Sequence, residues 1–306
     1  MDVSGRGEFA AIARLAARLP QPPSGDVWIG DDAAVLPPPG ERLLVATDAV
    51  VAGVHGDLDF VSVADFGWKA MAVNVSDLAA MGGRPLAAVV AVAGPSGTDL
   101  DGLYEGLGQA ADRWVCPIVG GDLAECAVLV VTVTVVGSGD GQPPPVTRAG
   151  ASAGDALLVT GALGASAAGL RLLRAGQGDG PLVAAHRRPH ARLAEGGAAR
   201  AAGATAMIDV SDGFGADLGH VLDASRVGAR VEKLPVAEGA TMAEALGGGE
   251  DYELVFSAPD PDLVGQVFAE AGLSAPIVIG ECTDDPDERT LDGEPMARAG
   301  WEHRWG

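Results

Sequence analysis

The sequence predicts an α/β fold of the α+β type, with mixed sheets and two domains. Apolar runs of strand length alternate with amphipathic segments of helix length along the chain. The segment 137–154 is rich in Gly, Pro and Ser and lies between two predicted strands. With 306 residues and 48% hydrophobic content, the chain is long enough for a core on each side of this break. We therefore expect an N-terminal domain over 1–145 and a C-terminal domain over 146–306, with the strand order left open.

The N-terminal half is expected to begin with an amphipathic helix, whose charged residues distinguish it from a signal peptide. A longer, Ala-rich helix follows; it has an apolar stripe at Met71, Val75 and Leu78 and ends before Gly82-Gly83. The strands are assigned to apolar runs rich in β-branched residues. Helices are predicted over 8–19, 63–81 and 99–114, and strands over 43–47, 86–93 and 127–136.

The C-terminal half continues the alternation of strands and helices. Its first helix follows the turn from Thr160 to Gly164, and the free N–H groups of such a turn can bind an anion. A plain turn between a strand and a helix is the favoured interpretation. Strands are predicted over 156–160, 206–210, 253–257 and 276–280, and helices over 164–175, 189–202, 214–226 and 261–272.

Composition excludes several classes of function. The formal net charge of −22 leaves no basic footprint, so we expect no nucleic acid partner. No apolar stretch reaches the roughly 18 residues of a membrane span, so we expect no membrane partner either. The three cysteines, Cys116, Cys126 and Cys282, form no CxxC pair. They argue against a zinc site and fit the reducing cytosol, which predicts a cytoplasmic protein.

Six short acidic motifs are the most informative feature of the chain. A buried strand that ends in a carboxylate beside a small residue usually delivers that carboxylate to a cleft. Converging carboxylates repel each other unless cations lie between them, and Mg²⁺ prefers hard oxygen ligands of this kind. A single Asp is more often a turn former or a helix cap, so only the whole set predicts several magnesium ions around a polyphosphate. The motifs are Gly30-Asp31-Asp32, Thr47-Asp48, Ser76-Asp77, Gly120-Gly121-Asp122, Asp209-Val210-Ser211-Asp212-Gly213 and Gly249-Glu250-Asp251.

Two polar residues interrupt the apolar helix 63–81. Asn74 and Asp77 are three residues apart and therefore share one face of the helix. If that face is buried, each side chain needs a polar partner. An ordinary solvated face explains the pair equally well, and the alternative stays open.

The usual nucleotide-binding loops are absent from the sequence. The only lysines, Lys69 and Lys233, do not follow a glycine loop, and no Walker A or GxGxxG motif follows a strand. A bound nucleotide would therefore depend on metal ions and arginine. Arg148, near the break between the halves, is the obvious candidate.

The remaining polar candidates separate into functional and structural groups. His186 and His190 are four residues apart, but the intervening Arg187-Arg188-Pro189 favours a solvated helix start over a metal site. Glu250 lies nearest the glycines of its motif and is the better functional candidate, whereas Asp251 and Glu253 have a structural interpretation.

Taken together, the motifs resemble those of the thiamine-monophosphate kinase family, within the superfamily of aminoimidazole ribonucleotide synthetase and selenophosphate synthetase. The resemblance runs from Gly7-Glu8-Phe9 to the C-terminus, in the expected order. In the first half it is carried by Ile29 to Ala34, Thr47-Asp48, Gly53-Val54-His55, Lys69-Ala70 and Asn74 to Gly82. Further along, it is carried by Gly120-Gly121-Asp122, Thr147-Arg148, Asp209 to Gly213, Gly248 to Leu254 and Gly300-Trp301.

The resemblance implies transfer of the γ-phosphoryl group of ATP to thiamine monophosphate, assisted by several Mg²⁺ ions. It also implies two α/β domains, a homodimer formed by the N-terminal one, and a C-terminal domain that completes the active-site cleft. The implied metal positions are Asp32, Thr47, Asp48, Asp77, Asp122, Asp209 and Asp212. The implied ATP positions are Gly121, Asp122, Arg148 and Ser211, and the implied substrate positions are His55, Glu250 and Trp301. Among these, Asp77, Asp122, Arg148 and Asp212 are expected to serve catalysis directly.

Two positions depart from the pattern of that family. Leu123 stands where a Thr usually follows Gly-Gly-Asp, and Ala46 stands where a Ser often precedes Thr47-Asp48. Each departure removes one hydroxyl contact. The alternatives are another ATP-dependent enzyme of the superfamily and a non-catalytic relative that binds nucleotide or metal.

Overall fold

The computed structural model describes residues 14–21, 23, 40 and 42–301. Contacts divide the chain into two compact units: the first contains Met1–Val75 and Pro85–Ser138, and the second contains Ser76–Arg84 and Gly139–Gly306. The helices are α1 Val63–Ala80, α2 Leu100–Trp114, α3 Ala165–Arg174, α4 Pro181–Arg187, α5 Leu193–Ala201, α6 Phe214–Ser225, α7 Met242–Gly247 and α8 Pro261–Glu270. The strands are β1 Leu43–Val51, β2 Arg84–Gly94, β3 Ile118–Glu125, β4 Val130–Ser138, β5 Ala156–Val159, β6 Ala206–Asp209, β7 Gly228–Val231, β8 Leu254–Ala258, β9 Ile277–Thr283, β10 Arg289–Leu291 and β11 Glu294–Pro295.

The first unit contains a four-stranded sheet in the order β1-β4-β2-β3. Strands β1 and β4 pair antiparallel from Leu43 opposite Ser138 to Val51 opposite Val130, and β2 pairs parallel with β3. Helices α1 and α2 approach closely because Gly67 and Gly106 lack side chains: a Cβ at Gly106 would lie 1.7 Å from the carbonyl oxygen of Ala64.

The second unit contains a seven-stranded sheet in the order β11-β10-β7-β9-β5-β8-β6. Along β5, Val159 belongs to a core cluster that includes Leu218 of α6. The neighbouring Leu158 belongs to a second cluster that includes Phe268 of α8. Successive residues of a strand point to opposite faces, so helices cover both faces of this sheet.

The predicted class, a mixed α/β fold with two sheets, is confirmed, and most predicted helices and strands occur within a few residues of their expected ends. Strands β3, β7, β10 and β11 and the short helices α4 and α7 were not predicted. Of the first predicted helix, 8–19, only residues 14–19 are described, and 14–16 of them are helical. Among the described residues, no helix has the length and hydropathy needed to span a membrane.

Two acidic motifs occupy different positions from those predicted. Asp48 was expected just after the predicted strand 43–47 and Gly121-Asp122 outside any strand, but they lie within β1 and β3. In β1 the apolar and β-branched pattern continues beyond Asp48 to Val51. In β3 the glycine is required by the sheet, since a Cβ at Gly121 would lie 2.0 Å from the carbonyl oxygen of Val90.

Candidate functional site

The loop from Asp209 to Gly213 is the centre of the candidate site in the second unit. Strand β6 ends at Asp209, which is buried, and α6 begins at Phe214. The N–H groups of Ser211, Asp212 and Gly213 each donate a hydrogen bond of 3.0 Å to Oδ2 of Asp217 in the first turn of α6. The Asp217 carboxylate therefore holds the backbone of the loop in place.

Asp217 was not among the predicted site residues. Burial raises the pKa of its carboxyl group to about 7; the N–H donors act in the opposite direction, and the charges of Asp209 and Asp212 raise it further. The available signal was an acidic residue in the first turn of a helix that starts directly after an acidic loop. The carboxyl groups of Asp209, Asp212 and Asp217, which are buried or half-buried, thus lie close enough for their charges to interact.

The C-terminal part of α1 joins this loop. Ser76 is fully buried, and its hydroxyl donates a hydrogen bond of 2.5 Å to Oδ2 of Asp209. Asp77, the next residue, is half-buried. A Cβ at Gly196 of α5 would lie 2.0 Å from the carbonyl oxygen of Ala79, so a glycine allows this end of α1 to pack closely. The chain thereby places the Ser76-Asp77 motif at the Asp209 end of β6.

Two predicted substrate residues bind the backbone of the same loop. Glu250 donates its N–H to the carbonyl oxygen of Ser211 at 2.7 Å, and Trp301 donates its N–H to that of Asp212 at 2.9 Å. The preceding glycines allow both approaches, because a Cβ at Gly249 would lie 2.6 Å from the Ser211 oxygen, and one at Gly300 3.1 Å from the Asp212 oxygen. The Trp301 side chain is 62% exposed, so its ring is accessible.

The neighbours of Glu250 have structural roles, as predicted. Asp251 accepts hydrogen bonds from the N–H groups of Gly164 at 2.7 Å and Ser166 at 3.2 Å. The N-terminus of α3 therefore does bind an anion, but that anion is the chain's own carboxylate. Glu253 accepts a hydrogen bond from the Thr160 hydroxyl at 2.5 Å and pairs with Arg192.

The solvated helix start predicted at His186 is wrong. His186 lies in the last turn of α4 and is only 3% exposed. Its Nδ1 lies 3.0 Å from the hydroxyl of Ser166. Arg148 has an exposed side chain, and its carbonyl oxygen accepts a hydrogen bond from the Ser225 hydroxyl at 3.1 Å.

In the first unit, Asn74 lies on a buried face of α1 and not on a solvated one, the two alternatives that the sequence left open for it. The side chain is completely buried, and its Oδ1 accepts a hydrogen bond of 2.7 Å from the N–H of Asp48. Its Nδ2 donates to the carbonyl oxygens of Ala70 at 2.9 Å and Asp48 at 3.4 Å. Asn74 therefore fastens α1 to the middle of β1, while the side chain of Asp48 is exposed.

Thr47 and His55 are held by neighbouring backbone. The Thr47 hydroxyl donates to the carbonyl oxygen of Val133 at 3.1 Å and lies 3.0 Å from the hydroxyl of Thr134. The N–H of Val51 donates to Nδ1 of His55 at 3.1 Å, so the neutral ring carries its proton on Nε2. Lys69 is buried, and its ammonium group donates a hydrogen bond to the carbonyl oxygen of His55 at 3.0 Å.

A cavity of about 80 Å³ adjoins the Gly121-Asp122 backbone. Its apolar wall includes Leu15, Leu19 and Tyr104, which was not predicted as a site residue. Leu123, the departure noted above, also lines the cavity. An apolar side chain at this position therefore faces an apolar space.

Carboxylates in the described part of the chain do not form a preassembled metal centre. Over residues 14–21, 23, 40 and 42–301, no group of three or more His, Cys, Asp or Glu side chains is arranged to hold a metal ion. Mg²⁺ typically needs only one or two protein carboxylates, since water and substrate phosphate complete its shell. Asp32 lies outside the described residues.

Comparison with known proteins gives a consistent result across both units. Residues 30–138 match the family described as AIR synthase related protein, N-terminal domain, and residues 152–292 match its C-terminal domain. A thiamine-monophosphate kinase from Mycobacterium tuberculosis H37Rv is 40% identical, over 97% of this chain and 91% of the relative.

Two solved structures are also similar. The thiamine-monophosphate kinase from Stenotrophomonas maltophilia K279a has a TM-score of 0.81 at 33% identity, covering 95% of this chain and 98% of the other. A structure described as AaThiL complexed with AMPPCP and TMP has a TM-score of 0.75 at 30% identity, covering 99% of each chain.

Proposed function

The chain belongs to the thiamine-monophosphate kinase family, and we propose that it phosphorylates thiamine monophosphate with ATP to give thiamine diphosphate. The observation that carries this proposal is the backbone pairing around Ser211 and Asp212. Glu250 and Trp301, the two substrate candidates of the second unit, donate hydrogen bonds to the loop that carries the acidic and nucleotide candidates. The backbone of this loop thus holds the backbone of two residues that carry an acceptor carboxylate and an accessible aromatic ring, Glu250 and Trp301.

The chemistry requires charge neutralisation more than a base. The acceptor is a phosphate monoester with a second pKa near 6, so it is largely a dianion at pH 7 and already nucleophilic. The barrier is repulsion between two anions, and a loose transition state is stabilised by positioning and by cations. A general base is therefore not required in the site.

Magnesium is the proposed cofactor, and the donor set fits it. In the second unit Asp77, Asp209 and Asp212 supply hard oxygen atoms. Burial is the main cause that raises the pKa of the neighbouring Asp217, and the charges of Asp209 and Asp212 raise it further, so a cation at this loop would offset their repulsion. In the first unit the candidates are Thr47, Asp48 and Asp122, with Asp32 outside the described residues. When bound, magnesium neutralises phosphate charge and aligns the reacting oxygens. Ser76 orients Asp209, and Asp217 holds the backbone of Ser211 and Asp212 in place.

The proposed ATP contacts are the backbone at Gly121, the carboxylate of Asp122, the guanidinium of Arg148 and the hydroxyl of Ser211. Gly121 and Asp122 line the cavity described above, whose other walls include Leu15, Leu19 and Tyr104. Arg148 has an exposed side chain that can pair with phosphate oxygens in a bidentate manner.

The proposed thiamine contacts are His55, Glu250 and Trp301. The exposed indole of Trp301 provides a face for the cationic thiazolium or the aminopyrimidine ring. Glu250 can accept a hydrogen bond from the pyrimidine amino group. The proton on Nε2 of His55 can be donated to an acceptor on the substrate.

A homodimer is the proposed assembly, and the sheet of the first unit supports it. Strand β1 lies at one end of the strand order and exposes large apolar side chains, with Leu43 at 52% and Val45 at 61%. Val89 of β2 is 40% exposed. An exposed, apolar end strand is a natural pairing surface. The cytoplasmic location stays a prediction.

The dimer is tested by light scattering after size exclusion. The wild type is expected at twice the mass of one chain, and Val45→Lys at the mass of one chain. Leu263→Lys, an exposed leucine on α8 in the second unit, serves as the matched control and keeps the wild-type mass. A monomeric wild type contradicts the proposal.

The activity is tested by ADP release with Mg²⁺ and ATP, with and without thiamine monophosphate, and by chromatography for thiamine diphosphate. ADP release that depends on the acceptor and matches thiamine diphosphate supports the kinase. ADP release without acceptor dependence indicates a different substrate within the superfamily. Nucleotide binding without turnover indicates a non-catalytic relative.

A further inference from the structure

A buried histidine lies behind the proposed substrate residue Glu250. His186, in the last turn of α4, has its Nδ1 3.6 Å from Oε2 of Glu250. The distance is longer than a hydrogen bond and suits an ion pair when the imidazole is protonated. The same Nδ1 lies 3.0 Å from the hydroxyl of Ser166 in the first turn of α3. The three side chains form a cluster, Ser166–His186–Glu250, within the second unit.

The backbone around Glu250 is constrained on both sides. Gly249 and Glu250 both have positive φ, at 67° and 57°, and a left-handed conformation is uncommon for a residue with a side chain. Such conformations persist where surrounding contacts determine them. Here the N–H of Glu250 binds Ser211, and the carboxylate of Asp251 binds the N-terminus of α3. The backbone of Glu250 is therefore held from both sides.

The position of His186 follows from the packing of α3 against α4. Gly169 lies one turn after Ser166 on α3, and a Cβ there would lie 2.1 Å from the carbonyl oxygen of Leu182 and 3.0 Å from Cβ of His186. The missing side chain lets α4 approach closely enough for the imidazole to reach Ser166 and Glu250. Ser166 also donates its N–H to Asp251, so one residue holds both the histidine and the segment that carries Glu250.

We propose that His186 is a positioning residue that, with Ser166, sets the Glu250 carboxylate to receive the aminopyrimidine of thiamine monophosphate. The inference rests on the proposed role of Glu250. With a proton on Nδ1, the imidazole attracts one carboxylate oxygen and limits the rotamers of a side chain that is 25% exposed. A ligand that binds a preset carboxylate does not lose free energy in ordering it, so removal of His186 weakens substrate binding and leaves ATP binding unchanged.

Steady-state kinetics with both substrates test the cluster. His186→Leu keeps an apolar volume but removes Nδ1, whereas His186→Asn keeps a polar atom near the Nδ1 position. We expect His186→Leu to raise the KM for thiamine monophosphate about tenfold with the KM for ATP and kcat within about twofold of wild type. His186→Asn is expected to restore most of the loss. Ser166→Ala leaves the imidazole in place and is expected to raise the same KM about threefold, so the test stands even where His186→Leu does not fold.

The double variant of His186→Leu with Glu250→Gln distinguishes the role of His186 from the role of Glu250. If His186 acts through Glu250, His186→Leu has little further effect in the Glu250→Gln background. The role of His186 is overturned if the two substitutions raise the KM for thiamine monophosphate by independent, multiplicative factors. It is also overturned by an unchanged KM in the folded His186 variants, or by equal losses of affinity for both substrates. A wild-type KM for thiamine monophosphate in Glu250→Gln alone overturns instead the proposed role of Glu250.

Discussion

The hydroxyl of Ser76 lies 2.5 Å from the carboxylate of Asp209, a residue 133 positions further along the chain. The hydrogen bond connects the last turns of α1 to the end of β6, so two of the six acidic motifs meet through a serine and an aspartate. Both partners are buried, and a proposed metal ligand is thereby oriented by a hydroxyl that is itself not a ligand.

Ser76→Ala is expected to raise the Mg²⁺ concentration for half-maximal activity about tenfold, because ligand orientation is lost. Ser257→Ala is the matched control, since Ser257 is equally buried and bonds Thr205 and the N–H of Ala206 instead. The control is expected to lower stability without changing the magnesium dependence. An unchanged magnesium profile in Ser76→Ala would count against Asp209 as a ligand.

Substitution of Asn74 is expected to lower stability, whereas substitution of Asp77 is expected to abolish activity. Asn74→Ala leaves the partly buried N–H of Asp48 without the Asn74 acceptor, so we expect the free energy of unfolding in urea to fall by about 1–3 kcal/mol. Asp77→Asn, three residues later on the same helix, is expected to abolish activity with unfolding near that of the wild type. The reverse pattern contradicts both assignments.

The contacts of Asn74 show what the sequence could and could not predict. Helical spacing placed Asn74 and Asp77 on one face, but the identity of the partner of Asn74 depends on β1, which is remote in sequence. The Asp209 end of β6 was predictable because its apolar run stops there. The strand β3 was not, because Gly-Gly-Asp inside a strand has the composition of a turn. The burial of His186 depends on Gly169 of a neighbouring helix, and local sequence carries no signal for it.

Trp301→Ala is expected to raise the KM for thiamine monophosphate about 2- to 30-fold, the range of a cation–π contact of about 0.5–2 kcal/mol. The KM for ATP should not change, and Trp301→Phe should retain most of the affinity. Leu263→Ala, another exposed apolar position, serves as the control. Parallel changes in both KM values would indicate that Trp301 orders the Asp212 loop rather than binding substrate.

Asp251 is expected to make stability depend on pH. Burial is the main cause that raises the pKa of its carboxyl group from 3.8 to about 6, against the opposing effect of the N–H donors. Because the folded pKa exceeds the unfolded one, the folded state binds more protons between these values, and this group's contribution to stability falls as pH rises from about 4 to 6. Asp251→Asn should remove that slope, since the amide does not titrate, although it keeps only one of the two acceptor oxygens that bind Gly164 and Ser166. Urea unfolding at a series of pH values measures the difference, and identical slopes would contradict the assignment.

Arg200 is expected to hold the segment that follows Ser138. Its guanidinium is nearly buried and donates to the carbonyl oxygens of Gly82, Gly139, Asp140, Gly141 and Pro143, at 2.7 to 3.3 Å. Lysine cannot reproduce this planar fork, so Arg200→Lys is expected to lower the free energy of unfolding by about 2–4 kcal/mol and to expose the segment to protease. Arg174→Lys, at an exposed position on α3, is the control and should have no effect.

Direct transfer of the phosphoryl group is tested most directly with ATP labelled at its γ-phosphoryl group. In the presence of thiamine monophosphate and Mg²⁺, the label is expected in the terminal phosphoryl group of thiamine diphosphate, in equal amount to the ADP formed, and Asp212→Asn is expected to abolish the transfer. Label recovered only as inorganic phosphate, with thiamine monophosphate unchanged, would contradict the proposed kinase reaction.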